Sequence, residues 1–524
     1  MTGNLAQSLF RHSQSRPHAT AVVCGTSELS YYRMAARASR IARALMSLPN
    51  WRDEGSNTPR VGILASRSID ACVAMSAACW AGATYVPIGP KLPEERILTL
   101  LSLCELSALI VDAEGANRLS PRVLAACPPC LIQTGETPAQ ADDDQPDGME
   151  TTLPACAPYP PQSMGGEETA YIIFTSGTTG VPKGVMIPLA AARHYVRAIC
   201  AMLGLLPTDR ALETCELSFD FSVHNMFATW EAGAALHILP AARVMNAVKF
   251  ARESQLTVWH SVPSLAGMLR QITALGPNSL PGLRVTVFGG EALPSATARA
   301  WQAAAPNSRI YNLYGPTEAT VFCLAQEVGD PLPETPGRGV VAIGLPLPGC
   351  EAAVFDASGQ ALGPNTPGEL AIAGVQLASG YLNESELTAR RFPCYARQRW
   401  YLTGDQAIQD AAGVFHCLGR IDNQVKVMGY RVELEEVDAQ LREVSHADVV
   451  GSIAWPVVEG MARGIVSFVH ASAIDAERLL NDLKARVPAY MLPTRIVALD
   501  NMPLNASGKV DRRALARLLE STQV

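Results

Sequence analysis

Residues 171–185, YIIFTSGTTGVPKGV, concentrate more chemistry than any other part of the chain. An apolar run of strand length ends in Thr175, Ser176, Gly177, Thr178, Thr179 and Gly180, and Lys183 and Gly184 follow. Glycines let successive backbone N–H groups converge, hydroxyls add donors, and a lysine supplies charge, which is what a polyphosphate needs. The spacing does not fit GxxxxGK[ST], so this is not a Walker loop. For this segment alone a Gly/Thr surface turn is the plain alternative.

The remaining polar candidates are scattered. Cys127 and Cys130 have the spacing of half a zinc site, but no second CxxC or HxxxH follows, so two ordinary thiols in a loop are expected. All thirteen cysteines lie between Cys24 and Cys417; the odd count in a chain of this size reads as a reduced, cytoplasmic protein. Net charge is −7 and no lysine- or arginine-rich block occurs, which argues against nucleic acid as a partner. With 48% hydrophobic residues among 524, the chain has enough apolar material for a large core, and global disorder is excluded.

The elements that must position these residues follow from periodicity. Residues 30–48 are apolar at helical spacing, while 61–66 and 108–113 are continuous apolar runs of strand length. Such runs separated by helices indicate buried parallel strands. The longest uncharged run, 71–88, is mostly small residues and stops at Pro87; it reads as a buried helix entering a strand, not a membrane span. The N-terminus lacks the apolar stretch of a signal peptide. Residues 134–168, with three adjacent aspartates and many prolines, read as a solvated excursion. The α/β rhythm then resumes through 171–176, 234–240, 256–263, 283–290 and 309–316. From about 340 strands separated by Gly and Pro turns predict a β-rich part. After Asp422 comes a unit of about 100 residues with its own helices and strands.

Further segments follow in order: AGATYVPIGPKLPEERI (81–97), LSFDFS (217–222), NLYGPTEAT (312–320), GELAIAGVQLASGYLN (368–383), YLTGDQA (401–407), LGRIDNQVKVMGYRVELEEV (418–437) and, after Met502 and Pro503, LNASGKVDRRAL. Together with 171–185 this series resembles the adenylate-forming superfamily (acyl-CoA synthetases, luciferases and nonribosomal peptide synthetase adenylation domains). The likeness is nearest to stand-alone amino-acid adenylation enzymes. It implies an α/β fold. A large N-terminal domain, 1–421, would hold two layered α/β sheets and a small β-barrel subdomain at about 340–421. A small mobile α+β domain would follow at 422–524, with its hinge at Asp422.

The resemblance also implies the chemistry: a carboxylate attacks the α-phosphate of ATP, pyrophosphate leaves, and a thiol then displaces AMP to give a thioester. Charge builds at phosphorus, so cations and oriented donors should dominate. By motif, Thr175, Ser176, Gly177, Thr178, Thr179 and Lys183 would hold pyrophosphate. Thr317 would touch the α-phosphate and Glu318 would ligate Mg2+. Tyr314 would pack on adenine, bordered by Gly290, Glu291 and Ala292; Asp405 would take the ribose hydroxyls, with Arg420 nearby. Lys509 would bridge substrate carboxylate and α-phosphate. The plain alternatives are core packing for Tyr314, turn formation for Asp405, a cap for Glu318 and a solvated surface lysine for Lys509. His194 comes late in a stretch that departs from the family pattern, and no role is expected of it.

Asp220 in LSFDFS stands where amino-acid-activating members keep a carboxylate for the substrate ammonium; a helix cap is the alternative. The rest of the pocket would be Phe221, His224, His260, Val287, Gly289, Leu313, Val321 and Phe322. Three of these are large and apolar, while the two histidines either hydrogen-bond a side-chain hydroxyl or fill space. A small, β-hydroxy amino acid such as threonine or serine is the expected substrate. The mix also resembles serine and glycine pockets.

Asp422 would let the small domain rotate between half-reactions, with a simple turn residue as the alternative. Gly429 would then replace Lys509 and leave room for a phosphopantetheine arm. No carrier segment follows the last motif, which gives the expectation of a monomeric ligase loading a separate carrier protein; an excised synthetase domain would read nearly the same. The competing expectations are an acyl-CoA or aryl-CoA synthetase and a catalytically silent nucleotide-binding or carrier-docking protein. Asp220 and the ending argue against the first. The intact Lys509, Glu318, Asp405 and phosphate loop argue against the second.

Overall fold

The computed structural model describes residues 3–49, 51–52, 58–134, 157–177, 181–458, 461–505 and 510–522. Thr178, Thr179, Lys509 and most of the 134–168 excursion lie outside these residues. Two large sheets dominate. One has seven strands, in which Arg60–Leu64, Thr84–Ile88 and Ala108–Val111 run parallel as their continuous apolar runs predict. The other has nine strands, with Val258–Ser261, Val285–Gly289 and Arg309–Tyr314 parallel at its centre. The helix Tyr31–Met46 is started by Ser30, whose side chain accepts from the Arg33 amide. Between the sheets the helix Ile69–Trp80 is buried from Ala71 onward, since its small residues allow close approach on every side. It leads directly into Thr84–Ile88.

The phosphate-type loop has an unexpected setting. Thr169–Thr175 and Lys183–Pro188 pair antiparallel, with Thr175 opposite Lys183. The loop is therefore the tip of a hairpin and does not open a helix. No helix dipole therefore stands behind this loop.

The β-rich part is a five-stranded antiparallel sheet that includes Gly368–Gly374, Gln398–Gln409 and Phe415–Arg420. Beyond Asp422, a four-stranded and a three-stranded sheet with the helices Leu434–Ser445, Ala476–Lys484 and Arg512–Thr522 form a smaller unit with its own core around Val432, Leu441, Ile465 and Leu483. Cys130 begins an edge strand, Cys130–Gln133, where a loop is expected, because its alternation lets it extend the sheet beside Ala108–Val111. No cluster of metal-ligating side chains occurs among the described residues. No described helix is long and apolar enough to cross a membrane.

Candidate functional site

Parallel strands all end on the same side, so the loops after them converge. Here Asp220 follows the strand Arg210–Glu213, Gly290 follows Val285–Gly289, and Tyr314 with Thr317 and Glu318 close Arg309–Tyr314. The phosphate hairpin reaches this place from the seven-stranded sheet, and Asp405 with Arg420 reaches it from the β-rich part. A cleft results, lined by Thr175, Ser176, Asp220, Gly290, Tyr314, Thr317, Asp405, Arg420 and Gly429, all of them expected from the sequence. Glu291 stands just behind, accepting from the Ser264 amide at 2.9 Å. Ala292 is exposed and contributes no wall.

The end of the cleft at Tyr314 and Asp405 is tied across the subdomains. The Tyr314 hydroxyl donates to Asp405, and Arg420 donates to Asp405 at 3.1 Å and to Asp422 at 2.6 and 2.8 Å. Burial pushes the Tyr314 phenol far up, with the Asp405 charge acting the same way, so it remains a donor. Asp422 thus sits at the junction of the large and small parts as the partner of Arg420.

The carboxylates differ in electrostatics. Burial alone would raise the Glu318 carboxyl, but the Arg431 guanidinium and the Tyr381 hydroxyl bring it down to about 2, so it is ionised. It has the chemistry of a hard oxygen ligand for Mg2+. In this pose, however, Arg431 donates to both of its oxygens, at 3.1 and 2.9 Å. Asp220 carries no ion pair among the described residues. Burial raises its carboxyl to about 6, against the Thr317 hydroxyl beside it. Its side chain makes no capping hydrogen bond to the short helix Phe221–Val223 that follows.

Behind Asp220 the expected pocket residues do come together. Phe221 and Phe322 meet edge to face at 5.0 Å, and His224 and His260 at 4.6 Å. Val287 pairs with His260 and Leu313 with Gly289 across the sheet. A Cβ on Gly289 would stand 2.3 Å from the Phe322 ring, so only glycine admits that ring. Thr320 and Val321 carry φ of +56° and +69°, a strained conformation for β-branched residues, and they turn the chain toward Phe322. His224 hydrogen-bonds the Tyr195 hydroxyl at 2.6 Å through Nδ1, while among the described residues its Nε2 and both His260 nitrogens have no well-aligned hydrogen-bond partner. Burial pushes both imidazoles down, His260 to about 3, so they are neutral. His194, outside the site, bonds the Pro348 carbonyl at 2.7 Å.

The small part brings Gly429, expected from the sequence, together with residues that sequence reasoning missed. Gly429, at φ +87°, lies against Val262, and its amide reaches Glu291. Phe219 packs on Tyr430, which stacks on Tyr490 at 4.1 Å between centroids. Arg431, Glu433 and Glu436 meet Glu318, Lys183 and Gly177. Their alternating charges in VMGYRVELEEV were the available signal.

The family model described as AMP-binding enzyme matches residues 9–382. The chain is 32% identical over 98% of its length to Delta-poly-L-ornithine synthetase of Acinetobacter baumannii, covering 37% of that protein. It is 32% identical over 96% of its length to tyrocidine synthase 3 of Brevibacillus parabrevis, covering 8% of it. The chain thus spans a minor part of these relatives. Among solved structures, the Vibrio cholerae adenylation domain AlmE, in complex with glycyl-adenosine-5'-phosphate, superposes with a TM-score of 0.83 at 29% identity, covering 99% of this chain and 98% of that one.

Proposed function

The chain belongs to the AMP-binding enzyme family, and from that premise we propose that it activates an α-amino acid as its aminoacyl adenylate and passes it to a phosphopantetheine thiol. One observation carries the reading. Asp220 is a carboxylate at the cleft with no ion-pair partner among the described residues, beside Thr317 and Glu318. A substrate α-ammonium supplies the missing charge. The substrate carboxylate then lies toward Thr317, where its oxygen forms a bond to the α-phosphorus of ATP as the bond to pyrophosphate breaks. Thr175, Ser176, Gly177 and Lys183, with Thr178 and Thr179, hold the departing anion. Tyr314, Asp405 and Arg420 hold the nucleoside. Glu318 would hold Mg2+, whose charge would offset that of the phosphates. In the second step the thiol sulfur attacks the acyl carbon and AMP leaves.

The domain division at Asp422, the bridging role of Lys509, the carrier as a separate protein and a cytoplasmic setting belong to this reading. The side chain is small. Unpartnered nitrogens on His224 and His260 support a hydroxyl, as in serine or threonine. The Phe322 ring over Gly289 favours a second reading, glycine, which is also the acyl group named in the AlmE complex. Amino-acid-dependent exchange of pyrophosphate into ATP across glycine, alanine, serine, threonine, valine and des-amino acids tests both. Equal exchange with des-amino acids overturns the α-amino acid reading. Rapid thioester formation on free coenzyme A favours a coenzyme A ligase, and no exchange with any acid favours a silent binding protein.

A further inference from the structure

The pocket behind Asp220 is closed by a turn that its own residues disfavour. Thr320 and Val321 are β-branched, yet both take positive φ, +56° and +69°. Within the turn the Thr320 amide donates to the Thr317 carbonyl at 3.1 Å and the Phe322 amide to the Thr320 carbonyl at 3.0 Å. A further restraint comes from the β-rich part. Gln376, two residues past the strand Gly368–Gly374, is buried. Its side-chain amide donates to the Ala319 carbonyl at 3.2 Å and to the Phe322 carbonyl at 2.8 Å. Both N–H groups of that amide are thereby spent, one at each end of the turn. The Thr320 hydroxyl donates back to the Gln376 carbonyl, and the Ala378 amide donates to the Glu318 carbonyl at 2.8 Å. On its other side the turn lies against Gly315, where a Cβ would stand 2.4 Å from the Val321 carbonyl oxygen and 2.6 Å from the Phe322 Cα.

This clamp sets where the Phe322 ring stands. The ring meets Phe221 edge to face at 5.0 Å and crowds Gly289, so it takes up space that a longer substrate side chain would need. Resting on the assignment of this pocket to the substrate side chain, we infer that Gln376 is the positioning residue that keeps the pocket small. It acts through the Ala319 and Phe322 carbonyls, from behind the turn. Loss of its donors leaves those two carbonyls without this partner and releases a strained segment. The turn then relaxes toward negative φ, the ring moves off Gly289, and the pocket deepens. Selectivity for a small side chain is thus held from the β-rich part, by a residue outside the strands that build the pocket.

Gln376→Met in the full chain is the test, since methionine matches glutamine in length and has no donor. Pyrophosphate exchange into ATP is measured with glycine, serine, valine and leucine in turn. The kcat/KM for valine relative to glycine is expected to rise by about tenfold, the lower end of what one methylene in an apolar pocket is worth, while the KM for ATP stays within about twofold. Amide hydrogen exchange of the peptide covering 317–325, measured without substrates, is expected to rise. Thr320→Val removes the reciprocal hydroxyl bond with little change of shape. It is expected to shift the ratio the same way, and it decides the matter where the methionine variant does not fold. An equal loss for every acid, a parallel rise in the KM for ATP, or an unchanged ratio in folded variants overturns the inference. Absence of exchange with every acid on the wild type overturns the adenylation reading instead, and unchanged hydrogen exchange at 317–325 then overturns the clamp by itself.

Discussion

The phenol of Tyr314, at the end of a strand in the nine-stranded sheet, donates its hydrogen bond to Asp405, which belongs to the antiparallel sheet of the β-rich part. One contact thereby ties two sheets together along one edge of the cleft, the edge proposed to hold the nucleoside. Arg420 holds the other Asp405 oxygen, so the carboxylate stays oriented if the phenol is lost. Tyr314→Phe is expected to keep the fold and raise the KM for ATP about tenfold, the worth of one hydrogen bond to a charged group. The KM for the amino acid should not move. Steady-state exchange with each substrate varied in turn measures both; a parallel rise in both would mean that Tyr314 positions the whole cleft.

Asp220 gives a pH signature. Its carboxyl lies near 6 in the unliganded site against an ordinary 3.8. Protonation is thus favoured by folding, and the associated stability is lost as pH rises through about 6. An ammonium ligand favours the ionised form. Amino-acid affinity should therefore climb as pH rises toward 6, by up to about tenfold per unit, and level off above it. Asp220→Asn should abolish the slope and leave ATP affinity unchanged. A wild-type slope that persists in the asparagine variant would assign the titration elsewhere.

Glu213 offers a stability test away from the reacting groups. It is buried at the end of the strand Arg210–Glu213, with Oε1 receiving Asn225 at 2.9 Å and the Cys215 amide at 2.6 Å. Burial still raises its carboxyl from 4.5 to about 7. Its folded form prefers the proton, so stability is full below about 4.5 and falls as pH rises through 7. The full loss is about 3 kcal/mol. Glu213→Gln should flatten that fall. Thermal melting of both proteins from pH 5 to 8 measures it, and identical curves would show that Glu213 is neutralised by another route.

Much of this was legible in the sequence, for identifiable reasons. Short apolar runs such as 61–66 and 283–290 have only one comfortable place, the middle of a covered sheet, and they are found there. The residues expected at the cleft lie there because motif order fixes which strand end each one follows. Arg431, Glu433 and Glu436 were not legible, because their partners Glu318, Lys183 and Gly177 are contributed by distant segments. Alternating charge on an exposed hairpin reads as solvation until docking buries it. The hairpin setting of the phosphate loop was hidden for a related reason, since a strand and a loop of glycines give no sign of whether helix or strand comes next.

Lys509 carries the sharpest catalytic expectation. If it bridges the substrate carboxylate and α-phosphate, its charge matters most as negative charge builds in the transition state. Lys509→Ala should slow adenylate formation by at least about a hundredfold. Thioester formation from adenylate supplied ready-made should fall by less than about threefold, because the lysine leaves the reacting groups when the small domain rotates between half-reactions. Single-turnover measurement of each step decides it, and equal losses would make the lysine structural.

Gly429 should give the opposite pattern. Its φ of +87° suits glycine alone, and a Cβ there would stand 2.9 Å from Val262 Cγ1. Gly429→Leu therefore strains the hairpin turn in either pose and opposes the docked pose by a clash. It carries a backbone cost of about 1–2 kcal/mol, and it puts a side chain into the space beside Phe219, Tyr430 and Tyr490 through which a pantetheine arm would pass. The backbone cost belongs to the hairpin turn and is the same in either pose, whereas the clash is relieved once the small domain has rotated away, since Val262 and Phe219 belong to the large part. Adenylate formation should stay within about twofold of wild type, while thioester formation should drop by about tenfold or more. Loss of adenylation in proportion to thiolation would mean that Gly429 serves the fold of the small domain and not its docking, and would remove it from the path of the thiol.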